Sequence, residues 1–386
     1  MRILVLNYEY PPLGGGGGVA AANISEEMAR LGHHVDYVTS HFQGLERRET
    51  VGGVRIFREP VAGRKDYQTA SILSMLSFPA AAIRRARALR READYDIIHT
   101  HFAIPTGPAG YILSKLWRKP HVVSIYGGDI YDPSKKYSPH RQPVLKLAVK
   151  RVLNQASAVV AESRDLLERT ISIYHPKRPP LRIPLGFKAP QFAPAGRAEL
   201  GLEDGIIYAI AVSRLVTRKG YPDLLAALAQ CRSRQLRLLI AGDGPEGPRL
   251  REICAELGIS DRVRFLGQVS EEQKYQYLSN ADMFALATHH EGYGIVYQEA
   301  MHCGLPIVTT NVGGQTDFLA HGDNALLCSP GDVAGLAASL DRLADDESQR
   351  TQMGSRNRAE IKKYMIDEVV RQYLVLFDEQ VARRRS

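Results

Sequence analysis

Two glutamates eight positions apart, Glu291 and Glu299, bracket Gly292-Tyr293-Gly294 in the stretch from Ala287 to Gly304. The apolar run before them, Met283 to Ala287, is short enough for a buried strand. After them, Ile295 to Met301 contains no helix breaker and stops at Gly304, as a helix with a C-terminal glycine does. Glu291 is therefore expected on a strand-to-helix loop, with Glu299 about two turns further on. Gly292 and Gly294 let such a loop turn sharply and approach a ligand closely, and the helix N-terminus beside it attracts anions. Carboxylates so placed can accept hydrogen bonds from hydroxyl groups. The same spacing also arises by chance on an ordinary helix, so the pair needs support from the rest of the chain.

The elements around it alternate. Ile3 to Leu6 reads as a strand, Tyr8 to Gly18 as a loop with Pro11-Pro12 and five consecutive glycines, and Val19 to Leu31 as an amphipathic helix closed by Gly32. This is a Rossmann-like opening whose glycines offer backbone amides to a phosphate, or merely provide slack. Further strands are expected at Val54 to Phe57, Asp96 to His99, His121 to Ile125 and Ala158 to Ala161. In the second half they are expected at Ile206 to Val212, Leu236 to Ala241, Val263 to Leu266 and Ile307 to Thr309. Strands alternating with helices imply an α/β fold with two doubly wound parallel sheets. Pro176 to Pro194, with six prolines, reads as the connection between domains. Residues 1–186 and 187–365 form the two Rossmann-like domains expected here.

Length, charge and cysteines bound the class. The 386 residues suit two domains, no apolar run is long enough to span a bilayer, and the apolar N-terminus is too short for a signal peptide. Cys231, Cys254, Cys303 and Cys328 lack metal spacing and read as buried thiols of a cytoplasmic protein. Residues 1–186 carry 27 Lys and Arg against 16 Asp and Glu, whereas residues 187–386 carry 23 against 26. The basic first half suggests an anionic partner. Its segment Phe78 to Ala93 sets five arginines opposite Ala82, Ile83, Ala86 and Leu89. Such a helix either lies on an anionic membrane or faces water. His99 and His101, spaced i and i+2 at a strand's end, could pair on a metal, but no third ligand stands near. Asp94-Tyr-Asp96 enters a buried strand, which argues against a metal role.

Five pieces of the second half stand in one order: Ser213-Arg214 to Lys219-Gly220, Gly242-Asp-Gly-Pro245, Phe265 to Val269, Glu291 to Pro306, and Gly313-Gly314. They resemble the retaining glycosyltransferases of GT-B fold that carry a Glu-x7-Glu motif (glycosyl transferases group 1, family 4-like). The first half is similar more loosely, through Pro11-Pro12 and the glycine loop, Gly32 to Val35, His99 to His101 and Tyr126 to Asp129. The resemblance covers nearly the whole chain. It implies two Rossmann-like domains with parallel sheets facing a cleft, the first for the acceptor and the second for the nucleotide-sugar donor. It also implies a last helix, about 366–386, that returns to the first domain.

By this resemblance Arg214 and Lys219 neutralise the departing diphosphate, Glu299 takes the ribose diol and Glu291 the donor-sugar hydroxyls. Backbone groups at Gly15, Gly16, Gly242, Gly292, Tyr293, Gly294, Ile295 and Val296 add donor contacts, with Val269 near the base. His101 lies near the reacting centre, while Tyr126 and Asp129 are acceptor-side candidates. The reaction implied is front-face transfer of a hexose, with retention, from UDP-glucose or a similar UDP-hexose, with GDP as the alternative nucleotide, to a glycan, glycolipid or lipid-linked acceptor. No metal or other cofactor and no nucleic acid are expected, and the basic half is expected to touch anionic membrane peripherally. Departures from the family pattern are Tyr126 for His, Leu185 for Asn, Thr288-His289 for Pro-Ser, and Asp317 for Glu. The alternatives are a nucleotide-sugar 2-epimerase of the same fold, a glycoside hydrolase using the two glutamates, and a non-enzymatic nucleotide- or polyanion-binding module.

Overall fold

The computed structural model describes all residues except 68–69, 133–137 and 386. It divides into two compact units, residues 1–188 with 364–386, and residues 189–363.

The first unit runs β1 (Arg2–Leu6), α1 (Gly16–Arg30), β2 (His34–Ser40), β3 (Arg48–Val51), β4 (Val54–Glu59), α2 (Ile72–Glu92), β5 (Ile97–His101), α3 (Gly107–Trp117), β6 (His121–Ile125), α4 (Pro143–Gln155), β7 (Ala158–Ala161), α5 (Arg164–Tyr174) and β8 (Leu181–Arg182). Its sheet has the order β3-β4-β2-β1-β5-β6-β7-β8, parallel except for the β3–β4 hairpin. Ile3 of β1 pairs with both Val35 and Ile97, so the Ile-Leu-Val-Leu run occupies the middle of the sheet. A strand covered on both faces needs apolar side chains throughout, and all four are fully buried. Helix α1 buries Ala21, Ile24 and Met28 in the cluster that also takes Val369, Tyr373 and Phe377 of the last helix.

Two helix starts differ from the sequence reading, and β4 and β5 each run two residues further than read. Helix α1 begins at Gly16 rather than Val19, because glycines without Cβ let its first turn lie against the Phe102 ring, 2.7 Å from where a Gly17 Cβ would stand. Helix α2 begins at Ile72 rather than Phe78, where the Ser71 side chain caps it by accepting the Ser74 N–H at 3.0 Å. Hairpin strand β3, Arg-Glu-Thr-Val, has no apolar run to announce it.

The second unit runs β9 (Ile207–Val212), α6 (Tyr221–Gln230), β10 (Leu236–Ala241), α7 (Gly247–Glu256), β11 (Val263–Gly267), α8 (Glu271–Asn280), β12 (Met283–Leu286), α9 (Ile295–Cys303), β13 (Ile307–Thr310), β14 (Ala325–Cys328), α10 (Val333–Asp345) and α11 (Glu347–Glu360). The last helix, α12 (Ile366–Arg385), belongs to the first unit. The parallel sheet of the second unit has the order β11-β10-β9-β12-β13-β14. Counted within the unit this is third, second, first, fourth, fifth, sixth, the doubly wound order in which ligands bind outside the carboxyl ends of the strands where the winding reverses. That point lies between β9 and β12. No helix among the described residues is long and apolar enough to cross a membrane.

Candidate active site

Glu299 apart, the second-half residues singled out by sequence fall on that carboxyl edge. Arg214 and Lys219 follow β9, Gly242 follows β10, Val269 follows β11, Glu291 follows β12 and Gly313 follows β13. Lys219 and Glu291 come together at the reversal point, where the Lys219 ammonium donates to Glu291 Oε2. Both side chains are 9% exposed. Burial pushes the Glu291 carboxyl up, but the Lys219 charge and hydrogen bond, with Arg218 and His290, outweigh it and hold Glu291 below the usual carboxylate range. Its other oxygen makes no hydrogen bond among the described residues. Arg214 is exposed, and among the described residues its guanidinium has no hydrogen-bond or ion-pair partner. One buried carboxylate held ionised thus stands beside a paired cation, and the loop after β9 carries a second, unpaired one.

The loop that carries Glu291 is strapped to the loop that carries Lys219. Thr288 Oγ1 donates to the carbonyls of Arg218 and His290, each at 3.0 Å, and the His289 N–H donates to the Arg218 carbonyl at 2.8 Å. The His289 ring meets Asp223 Oδ2 at 2.6 Å. These bonds are what Thr288-His289 supplies in place of the Pro-Ser of the family pattern. Gly313 closes the loop from the other side, with φ +74° and a Glu291 carbonyl only 2.0 Å from where its Cβ would be. No side chain fits there. Gly294, at φ 87°, caps α9, whose first turn holds Ile295 and Val296 and no acidic residue.

Glu299 lies on α9 in a different setting. Its Oε1 accepts from Lys274 Nζ at 2.7 Å, and Lys274 also meets Glu271 at 2.8 Å. Burial, only partly offset by Lys274, raises the Glu299 carboxyl above its usual value. The two glutamates of the motif are thus shifted in opposite directions. Lys274 was not singled out by sequence; its place in Glu-Glu-Gln-Lys-Tyr reads as a solvated helix face.

In the first unit the marked residues also sit at the carboxyl edge. His101 ends β5, wholly buried, with Nδ1 at 2.5 Å from the Tyr126 hydroxyl and no partner for Nε2 among the described residues. Burial depresses its pKa to about 3, so the imidazole is neutral at physiological pH. Asp129 ties its own loop to the one after β5, its carboxylate accepting the N–H groups of Tyr126 at 2.9 Å and Ala103 at 2.5 Å. The Gly15 N–H is not bare either, since it donates to Glu9 Oε2 at 3.1 Å. The amides without a hydrogen bond among the described residues are those of Gly16 and Gly17. His99 meets Ser124 Oγ at 2.8 Å, Asp94 pairs with Arg90 and Lys119, and Asp96 accepts the Arg2 N–H at 2.8 Å. His99, Asp94 and Asp96 thus hold the fold.

Two family models cover most of the chain. The one described as glycosyl transferase 4-like domain matches residues 15–186, and the one described as glycosyl transferases group 1 matches residues 194–360. The chain belongs to the group 1 glycosyl transferases. The N-acetyl-alpha-D-glucosaminyl L-malate synthase of Bacillus anthracis is 28% identical over 95% of this chain and 94% of its own length. A D-inositol 3-phosphate glycosyltransferase of Nocardia farcinica is 29% identical over 92% of this chain and 84% of its own. Among solved structures, a sucrose-phosphate synthase from Thermosynechococcus elongatus superposes with a TM-score of 0.85 at 23% identity, covering 99% of this glycosyltransferase and 100% of that chain. HepE of Anabaena, in complex with UDP and glucose, gives a TM-score of 0.76 at 23% identity, covering 98% of this chain and 100% of its own. At those identities the likeness to solved structures establishes the GT-B-type fold.

Proposed function

We propose that this glycosyltransferase moves a hexose, with retention and without a metal, from a UDP-sugar to a glycan, glycolipid or lipid-linked acceptor in the cytoplasm. The observation that carries the reading is the buried Lys219–Glu291 pair where the winding of the second sheet reverses, with the unpaired Arg214 on the same loop as Lys219. A nucleoside diphosphate leaves with negative charge on its terminal phosphate. Arg214 and Lys219 meet that charge, and an ammonium with three N–H groups can hold Glu291 and a phosphate oxygen together. The free oxygen of Glu291 accepts from a sugar hydroxyl, and Glu299 takes the ribose diol. Gly242, Val269 and the backbone from Gly292 to Val296 line the donor along the same edge.

In the transfer the bond from C1 to the phosphate oxygen breaks as the acceptor oxygen bonds C1 on the same face, and the acceptor proton passes to the departing phosphate. No protein nucleophile takes part. The Gly16 and Gly17 amides offer phosphate contacts, and neutral His101 offers a hydrogen bond through Nε2 rather than a charge. The UDP complex of HepE supports the choice of nucleotide, and the first unit's basic surface supports peripheral contact with anionic membrane.

The test is incubation with UDP-hexoses in EDTA, with and without an acceptor extract, followed by proton NMR of the anomeric signals. An α-configured product is expected. A β product, or a new nucleotide-sugar epimer formed from donor alone, would replace the reading.

A further inference from the structure

Helices α2, α3 and α4, beside the charge-balanced α5, cover one face of the first unit's sheet, the face opposite α1 and α12. Cation–ring contacts join them: Arg90 lies 5.6 Å from the Trp117 ring centre and Arg151 lies 5.9 Å from that of Tyr111. The three helices carry nine Lys and Arg against one acidic residue, Glu92, whereas α1 and α12 on the other face carry five against six. The asymmetry therefore belongs to one face.

Some of these cations are engaged. Arg84 and Arg85 pair with the buried Glu59, and Arg90 with Asp94. Arg87, Arg91, Lys115, Lys146 and Lys150 have no ion-pair partner among the described residues. Between them stand large aliphatic side chains in water: Val144 is 79% exposed, Leu76 70%, Leu147 68% and Leu116 54%. Each helix leaves the carboxyl end of a parallel strand, so the first turns of α2 and α4, with Leu76, Val144 and Leu147, lie towards the edge that holds His101 and Tyr126.

We infer that the α2–α4 face docks on an anionic lipid bilayer, with Val144, Leu147 and Leu76 entering the interface and Lys146 and Lys150 at the headgroups. Unneutralised cations alone would serve any polyanion. Cations interleaved with exposed aliphatic side chains suit a surface that is anionic outside and apolar beneath. A second copy of this face is a poor occupant, because it would set the five cations without ion pairs against the same five. Resting on the transferase reading, the same placement delivers a lipid-linked acceptor to the carboxyl edge of the first sheet.

The experiment is co-sedimentation of the full chain with phosphatidylcholine vesicles, with and without phosphatidylglycerol. Wild type, Val144→Asp/Leu147→Asp and Lys146→Glu/Lys150→Glu are compared, each with a thermal midpoint, a light-scattering mass and a rate of donor hydrolysis. Wild type is expected to bind the anionic vesicles about tenfold or more tightly than the neutral ones, and less tightly at high salt. Both double variants should lose about tenfold in vesicle binding while midpoint and donor hydrolysis stay unchanged. Equal binding to both vesicle types, no binding, or undiminished binding by the variants would overturn the proposal. So would variants that merely turn a dimer into a monomer. If vesicle binding fails while donor hydrolysis persists, the transferase reading stands and this face loses its role. The reverse outcome removes the transferase reading and leaves the membrane face.

Discussion

Lys274→Met isolates what the structure adds to the motif. Lys274 holds Glu299 at 2.7 Å, and the two side chains are 11% and 12% exposed. Its second partner, Glu271, is 83% exposed, so that contact is screened and contributes less than about 1 kcal/mol. Removing the ammonium leaves Glu299 as an uncompensated buried charge, a cost of about 3–5 kcal/mol if it stayed ionised. Protonation is the cheaper route. In the unfolded chain a glutamate titrates near 4.5, so holding it neutral at pH 7 costs about 3.4 kcal/mol, at about 1.36 kcal/mol per pH unit. Wild type already carries part of that cost, because its own Glu299 carboxyl is raised, so the expected loss at pH 7 is the remainder, less than about 3 kcal/mol. A raised folded pKa costs nothing below the unfolded value and takes stability away as pH rises, so the deficit should shrink by about 1.4 kcal/mol per unit as pH falls from 7, until the wild-type carboxyl itself protonates. Urea unfolding of wild type, Lys274→Met and Lys274→Met/Glu299→Gln between pH 5 and pH 8 measures it. The double variant should recover most of the loss, since no charge is left to bury. A variant as stable as wild type at pH 7, or a deficit independent of pH, would refute the reasoning.

Arg214→Ala and Lys219→Ala should each cost on the order of 2–4 kcal/mol in kcat/KM. Only Lys219→Ala should also lower the unfolding midpoint, because it orphans Glu291 while Arg214 has no partner to abandon; near-normal turnover in either variant removes its assigned role. Carbon-13 NMR of labelled glutamates should show Glu291 ionised below the usual carboxylate range and Glu299 protonating above it. By linkage the stability from Glu291 is present above its unfolded pKa and lost as pH falls through its lowered folded value, whereas that from Glu299 is present at low pH and lost as pH rises. Two coincident titrations would contradict both environments. Gly313→Ala should cost more than about 1 kcal/mol in unfolding free energy and weaken nucleotide binding, because its Cβ meets the Glu291 carbonyl; unchanged donor affinity would show that the loop does not depend on that contact.

The alternating strands and helices were legible because buried parallel strands must be almost continuously apolar, as Ile3 to Leu6 and Leu238 to Ala241 are. The motif's two glutamates could be placed because each strand's end delivers its loop to one edge. What spacing could not show was partnership across the sequence. Lys219 meets Glu291 from 72 positions away, and Lys274 meets Glu299 from 25. The opposite shifts of the two carboxyls follow from those partners and from burial, neither of which a motif encodes. The glycine run misled in a simpler way: its first helical turn starts at Gly16 and Gly15 gives its N–H to Glu9, contacts that depend on tertiary packing. In α2 the sequence displayed its arginines but not that Glu59 and Asp94 engage three of them. Asp129 drew notice as a carboxylate in a turn, and only the fold shows it tying Ala103 to Tyr126.

The most direct test of the donor site is thermal unfolding of wild type and Arg214→Ala with UDP, GDP, ADP or NAD, in EDTA and then in magnesium. A ligand at about 100 times its dissociation constant stabilises the fold by about 2.7 kcal/mol, a shift readily seen. UDP is expected to raise the wild-type midpoint in EDTA and to lose most of that effect in Arg214→Ala. No shift with any nucleoside diphosphate, a shift with NAD alone, or a UDP shift that Arg214→Ala leaves intact would contradict a nucleotide-sugar site at the reversal point of the second sheet.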